Sequence, residues 1–138
     1  MNVLYTATAH ATGDGRNGHA TSDDGIIDLD LRMPTALGGP GGATNPEQLF
    51  AAGYAACFHS ALRLVGSQSQ LDVTGSEVSA SVGIGMLPSG GFGLSVELDV
   101  HLPALEHSVA EGLVAKAHEV CPYSNATRGN VDTVLRVV

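Results

Sequence analysis

Two cysteines, Cys57 and Cys121, stand 64 residues apart, and no other residue type in the chain is both so scarce and so reactive. A thiol attacks as its thiolate, and a thiolate needs a cation or dipole to favour it. Arg is the cation that stays charged when desolvated. Arg16, in a Gly-flanked loop between two expected strands, has the best setting among five arginines. Glu47, in the first turn of the helix that carries Cys57, would orient that Arg rather than touch sulfur. Cys121 precedes Pro122 at a helix end, where modest movement is feasible. That suits a resolving thiol, which must approach an oxidised partner and close a disulfide. Each residue also has a plainer reading. Cys57 would be a core cysteine, Glu47 an acid that favours the helix N-terminus, and Cys121 a packing residue.

Other chemistries find less support. Two Cys and six His invite a metal, but Cys57 and His59 lie two apart on a helix and point to roughly opposite sides. No His-x3-His, Cys-x2-Cys or Glu-x2-His spacing occurs. The Gly-rich run Leu37–Thr44 opens onto a helix N-terminus, as a phosphate loop does. It lacks the Gly-Lys-Ser/Thr ending and a strand leading directly into the turn. A Ser-His-Asp hydrolase has no Gly-x-Ser-x-Gly elbow here. The expectation is chemistry without a metal or organic cofactor.

The element that must position Cys57 runs from Asn45 to Gly66, NPEQLFAAGYAACFHSALRLVG. Asn45 suits the N-cap, Pro46 the first helical position, and Gln48 completes a capping-box-like pair; Gly66 reads as the stop. The body is apolar nearly all round, so the helix is expected to be buried on most sides. Ten residues of helix between Glu47 and Cys57 give roughly 15 Å of rise and about 80° of rotation. One helix does not bring both to a small pocket, whereas a second copy packed alongside would. The expectation is a dimer with a shared site.

Around the helix, residues 2–9 and 27–31 alternate as strands, 71–87 and 94–102 as a long antiparallel hairpin, and 131–138 as a last strand. Residues 106–120 read as a helix with Val109, Leu113, Ala117 and Val120 as its buried stripe, ended by Pro122; 123–130 read as a loop. The order implies an α+β fold with an antiparallel sheet, in one domain over residues 1–138. The net charge of −8 argues against nucleic acid or an anionic membrane surface as partner. No apolar run reaches the roughly 18 residues of a membrane span. The N-terminus lacks the pattern of a signal peptide, which leads to a cytoplasmic expectation. There a permanent disulfide is unusual and a transient one plausible.

With these residues in view, the chain resembles the organic hydroperoxide resistance proteins, in the superfamily of the osmotically inducible protein C family. The resemblance rests on Gly15-Arg16-Asn17-Gly18, Ser22-Asp23-Asp24-Gly25, Leu37–Gly42, the run Asn45–Phe58 and the run CPYSNATRGN from Cys121 to Asn130. It implies an intertwined homodimer of antiparallel sheets wrapped around central helices. It also implies that Cys57 is the peroxidatic thiol, Cys121 the resolving thiol, and Arg16 with Glu47 the activating pair. The substrate class it implies is organic hydroperoxides. The implied reductant is a dihydrolipoyl group on a carrier protein, rather than thioredoxin or glutathione. Phe50 and Phe58, with neighbouring apolar side chains, would give the pocket affinity for alkyl chains. A peroxide sensor that reacts once without turnover, and a non-catalytic dimer with inert cysteines, are the rival readings.

Overall fold

The apolar stretch forms one helix, α1, Pro46–Gln68. The computed structural model describes all residues, 1–138. The Asn45 side chain accepts a hydrogen bond from the Gln48 backbone N–H at 2.9 Å, as an N-cap should. The reciprocal half of the capping box is absent, because the Gln48 carbonyl oxygen accepts from the Thr44 hydroxyl instead. The helix also runs two residues past Gly66. That glycine is buried, and a Cβ there would stand 2.7 Å from a Val73 methyl, so it answers to packing rather than to a stop. Burial covers one face of α1, led by Tyr54, Phe58, Ala61, Leu62 and Val65, not most of its circumference. In length and composition α1 is sufficient to cross a membrane, as core helices often are, although polar residues interrupt its apolar run.

The chain divides into two compact units, Met1–Leu49 and Phe50–Val138. The first holds an antiparallel meander of β1 (Ala9–Thr12), β2 (His19–Ser22) and β3 (Asp28–Asp30). The strand expected over 2–9 forms no ladder before Ala9, and Val3, Leu4 and Tyr5 are exposed. Alternation alone is insufficient without a neighbouring strand to pair with.

The second unit holds β4 (Glu77–Met86), β5 (Phe92–His101) and β6 (Asp132–Val137), in the order β4-β5-β6. Helices α2 (His107–Val120) and α3 (Pro122–Thr127) connect the last two strands. β4 and β5 form the expected antiparallel hairpin. β6, however, pairs parallel to β5. A return through helices brings the chain back in the same direction, so this sheet is mixed rather than antiparallel. β5 is the central strand, and Val96, Leu98 and Val100 point into the core against α1 and α2. The buried stripe of α2 is Ala110, Leu113, Val114 and Ala117, which shares Leu113 and Ala117 with the expected one and leaves Val109 and Val120 exposed. The fold is α+β, with two three-stranded sheets and three α-helices.

Candidate active site

The Gly15-Arg16-Asn17-Gly18 motif forms a 3-10 turn between β1 and β2. Gly15 sits at φ +52°, and a Cβ on Gly18 would lie 2.1 Å from the Thr12 carbonyl oxygen, so neither position admits a side chain without strain. The Asn17 side-chain oxygen accepts from the Met33 N–H, and Arg32 donates to the carbonyls of Asn17 and Gly18. This clamped turn presents Arg16, whose Nη1 and Nη2 each donate to one carboxylate oxygen of Glu47 at 2.8 Å. The pair is bidentate, the geometry in which Arg and a carboxylate match best. Hydrogen bonding from Arg16 holds the Glu47 carboxyl below its ordinary pKa, against an opposing contribution from burial.

In the second unit the two thiols meet. Cys121 Sγ donates to Cys57 Sγ at 3.6 Å, and both cysteines are free. Cys121 is fully buried and serves two helices at once, as the residue closing α2 and the N-cap position of α3. Its backbone N–H donates to Ala117 O while the chain turns through an extended conformation. Cys57 is only partly buried. Burial pushes its thiol pKa up; a backbone hydrogen bond from Tyr123 works the other way, and the neighbouring Cys121 adds to the rise. A disulfide needs about 2.05 Å between sulfurs, so closure asks for a shift of roughly 1.5 Å.

Three rings pack together in the same unit. Phe50, Tyr54 and Tyr123 have centroids 5.6 to 6.2 Å apart in tilted or edge contacts. Phe50 keeps part of its surface, whereas Phe58 is wholly buried in the core. No three His, Cys, Asp or Glu side chains converge as metal ligands, and His59 is hydrogen-bonded to the Ser76 hydroxyl at 2.9 Å.

The OsmC-like protein family model matches residues 39–136. An organic hydroperoxide resistance protein of Xanthomonas axonopodis pv. citri is 56% identical over 135 residues, covering 96% of this chain and 94% of that protein. The organic hydroperoxide resistance protein OhrB of Bacillus subtilis is 49% identical, covering 98% of each. This chain belongs to the organic hydroperoxide resistance proteins of the OsmC-like family. The crystal structure of such a protein from Legionella pneumophila superposes with a TM-score of 0.94 at 55% identity, covering 99% of this chain and 98% of that one.

In this organic hydroperoxide resistance protein, then, the predicted site residues fall into two pairs, Arg16 with Glu47 and Cys57 with Cys121. Residues 123–130 read as a loop in the sequence, whereas α3 forms over Pro122–Thr127. Pro122 looked like the end of one helix, yet proline is equally suited to the first position of the next, and here it opens α3. Tyr54, Ser124 and Thr127 went unmarked because each is an ordinary residue until the fold buries three hydroxyls together.

Proposed function

We propose that this chain is a thiol-dependent peroxidase that detoxifies organic hydroperoxides. The observation that carries the reading is the approach of two free thiols to 3.6 Å, one of them partly accessible. The Cys57 thiolate attacks one oxygen of the O–O bond; the bond breaks, the other oxygen leaves as an alcohol after taking a proton, and Cys57 becomes a sulfenic acid. Cys121 then attacks that sulfur, a disulfide forms, and water leaves. An external dithiol returns two electrons and two protons to regenerate both thiols. The reading assigns this step to dihydrolipoyl carrier proteins and sets the cycle in the cytoplasm, where disulfides are transient.

Burial pushes Cys57 away from thiolate, so the mechanism needs a cation. Arg16 is assigned that role, with Glu47 fixing its fork. Glu47 and Cys57 lie ten residues apart on the single helix α1, which argues for a homodimer in which the Arg16–Glu47 pair of one copy serves Cys57 of the other. Phe50 is assigned to the alkyl-binding wall. Phe58 has no surface left in the single chain and supports that wall by packing. Each methylene buried there contributes roughly 0.8 kcal/mol, which favours alkyl and aryl hydroperoxides over hydrogen peroxide.

Purified protein with dihydrolipoamide and cumene hydroperoxide tests the reading, beside hydrogen peroxide and a Cys57→Ser control. Fast turnover of the organic peroxide, slower turnover of hydrogen peroxide and loss in the variant are expected. A single stoichiometric oxidation would make the chain a sensor, and no reaction would make its cysteines structural.

A further inference from the structure

The peroxidase reading uses two sulfurs but leaves unexplained what holds them at 3.6 Å. Cys121 belongs to no regular element, standing between α2 and the six-residue α3. A helix this short is not stable alone, so its position comes from tertiary contacts. Those contacts converge on one hydroxyl. Tyr54 Oη, on α1 three residues before Cys57, is hydrogen-bonded to Ser124 Oγ at 3.0 Å and to Thr127 Oγ1 at 3.1 Å. Tyr54 and Ser124 are fully buried, and Thr127 nearly so. Thr127 Oγ1 also lies within hydrogen-bonding distance of the carbonyls of Tyr123 and Ser124, tying the network into the backbone of α3.

A second contact lies one residue earlier. A Cβ on Gly53 would stand 2.9 Å from Tyr123 Oη and 3.3 Å from its ring. Gly53 lies inside α1 without positive φ, so its lack of a side chain is spatial: the Tyr123 ring needs the room. Tyr123 also stands two residues after Cys121, in the first turn of α3. On its far side α3 is held by Arg128, which donates to Asn125 Oδ1 and to the His118 carbonyl near the end of α2.

We propose that Tyr54 is a positioning residue for the thiol pair: its hydroxyl, through Ser124 and Thr127, fixes α3 so that Cys121 stays within closing distance of Cys57. The inference rests on the peroxidase reading for its biological meaning, but the geometry it describes governs any oxidation of this pair. Removing the hydroxyl leaves the ring in place and the two α3 hydroxyls without their shared partner. α3 then samples positions in which Cys121 is out of reach, and a sulfenic acid at Cys57 waits longer for its partner.

The test compares wild type with Tyr54→Phe in two oxidations. One uses cumene hydroperoxide, with dimedone added to trap sulfenic acid. The other uses diamide, a thiol oxidant whose N=N bond becomes a hydrazine as the two thiols become a disulfide. Disulfide closure should slow about tenfold with either oxidant, the equivalent of one buried hydrogen bond lost on the way to closure. Dimedone labelling of Cys57 should rise, because its sulfenic acid waits longer for Cys121. Ser124→Ala and Thr127→Val, each removing one arm, should slow closure by less and in the same direction, which keeps the test available if Tyr54→Phe folds poorly. Val82→Ala, chosen to lose stability away from α3, should leave the closure rate unchanged. Closure in Tyr54→Phe and both single-arm variants at the wild-type rate would overturn the proposal, as would equal slowing in Val82→Ala. If wild type ignores the peroxide yet closes with diamide, the peroxidase reading fails and the diamide rates still decide the role of Tyr54.

Discussion

Arg16 and Glu47 form a bidentate ion pair, each guanidinium Nη on one carboxylate oxygen. The Gly-flanked loop was legible because Gly15 and Gly18 occupy positions where a side chain would be strained. The 31-residue separation between Arg16 and Glu47 hid their bidentate contact. Two predictions belong here. Arg16→Ala should raise the Cys57 pKa, and each unit of rise cuts the thiolate fraction at neutral pH about tenfold, with the same loss in peroxide reduction. Thiolate absorbance and stopped-flow rates check this, and an unchanged rate would remove Arg16 from the mechanism. The second concerns acid stability. Arg16 holds the Glu47 carboxyl below its ordinary pKa of about 4.3, so the pair stabilises the fold above that pH and is lost as pH falls through the depressed value. Because the Arg16 side chain is about one-third exposed, the contribution is at most about 1 kcal/mol. The melting temperature of wild type should exceed that of Glu47→Gln at neutral pH, and the gap should close as pH falls through the depressed value. A gap independent of pH would mean that the pair adds nothing through charge.

At the scale of elements, strongly periodic segments were legible and their pairing was not. The hairpin of β4 and β5 was legible around its turn because alternation and a Pro-Ser-Gly-Gly turn both specify it, but β4 starts at Glu77, six residues after the expected start at 71. The parallel register of β6 was hidden, since a strand's own residues say nothing of the direction of its neighbour. The stripe on α2 was right at Leu113 and Ala117 and wrong at its other two positions, because Val109 and Val120 are as apolar as Ala110 and Val114 and only the packing partner chooses between the two faces. Glycines in helices show the same limit, with two substitutions expected to differ in sign. Gly66→Ala puts a methyl 2.7 Å from Val73 and should destabilise by about 1–3 kcal/mol despite the better helix propensity of Ala. Gly112→Ala, on an exposed part of α2 with nothing within 4 Å, should stabilise by up to about 1 kcal/mol. Denaturant melts of both variants check the pair; two changes of the same sign would mean that propensity or packing alone rules.

For the whole molecule, the expectation of a helix buried on most sides meets a single chain that buries one side. Ala52, Ala56 and Ser60 stand exposed at four-residue spacing on α1, and Leu64 continues the line at 54% exposure. Val3, Leu4 and Tyr5 add apolar surface at the N-terminus without a strand to pair with. Apolar surface left open in the single chain is what a second copy would cover, and the proposed homodimer gives it that partner. The arrangement is tested by complementation. An Arg16→Ala chain keeps Cys57, a Cys57→Ser chain keeps Arg16, and each homodimer should be impaired. If one copy activates the thiol of the other, a refolded mixture contains heterodimers with one intact site, and activity should return to roughly a quarter of the wild-type rate. Light scattering should give twice the 14.0 kDa chain mass for every species. A dimeric mixture that stays as impaired as its parents would place Arg16 and Cys57 of each site on the same chain. A monomer that turns over fully would leave the open face of α1 without a role in catalysis.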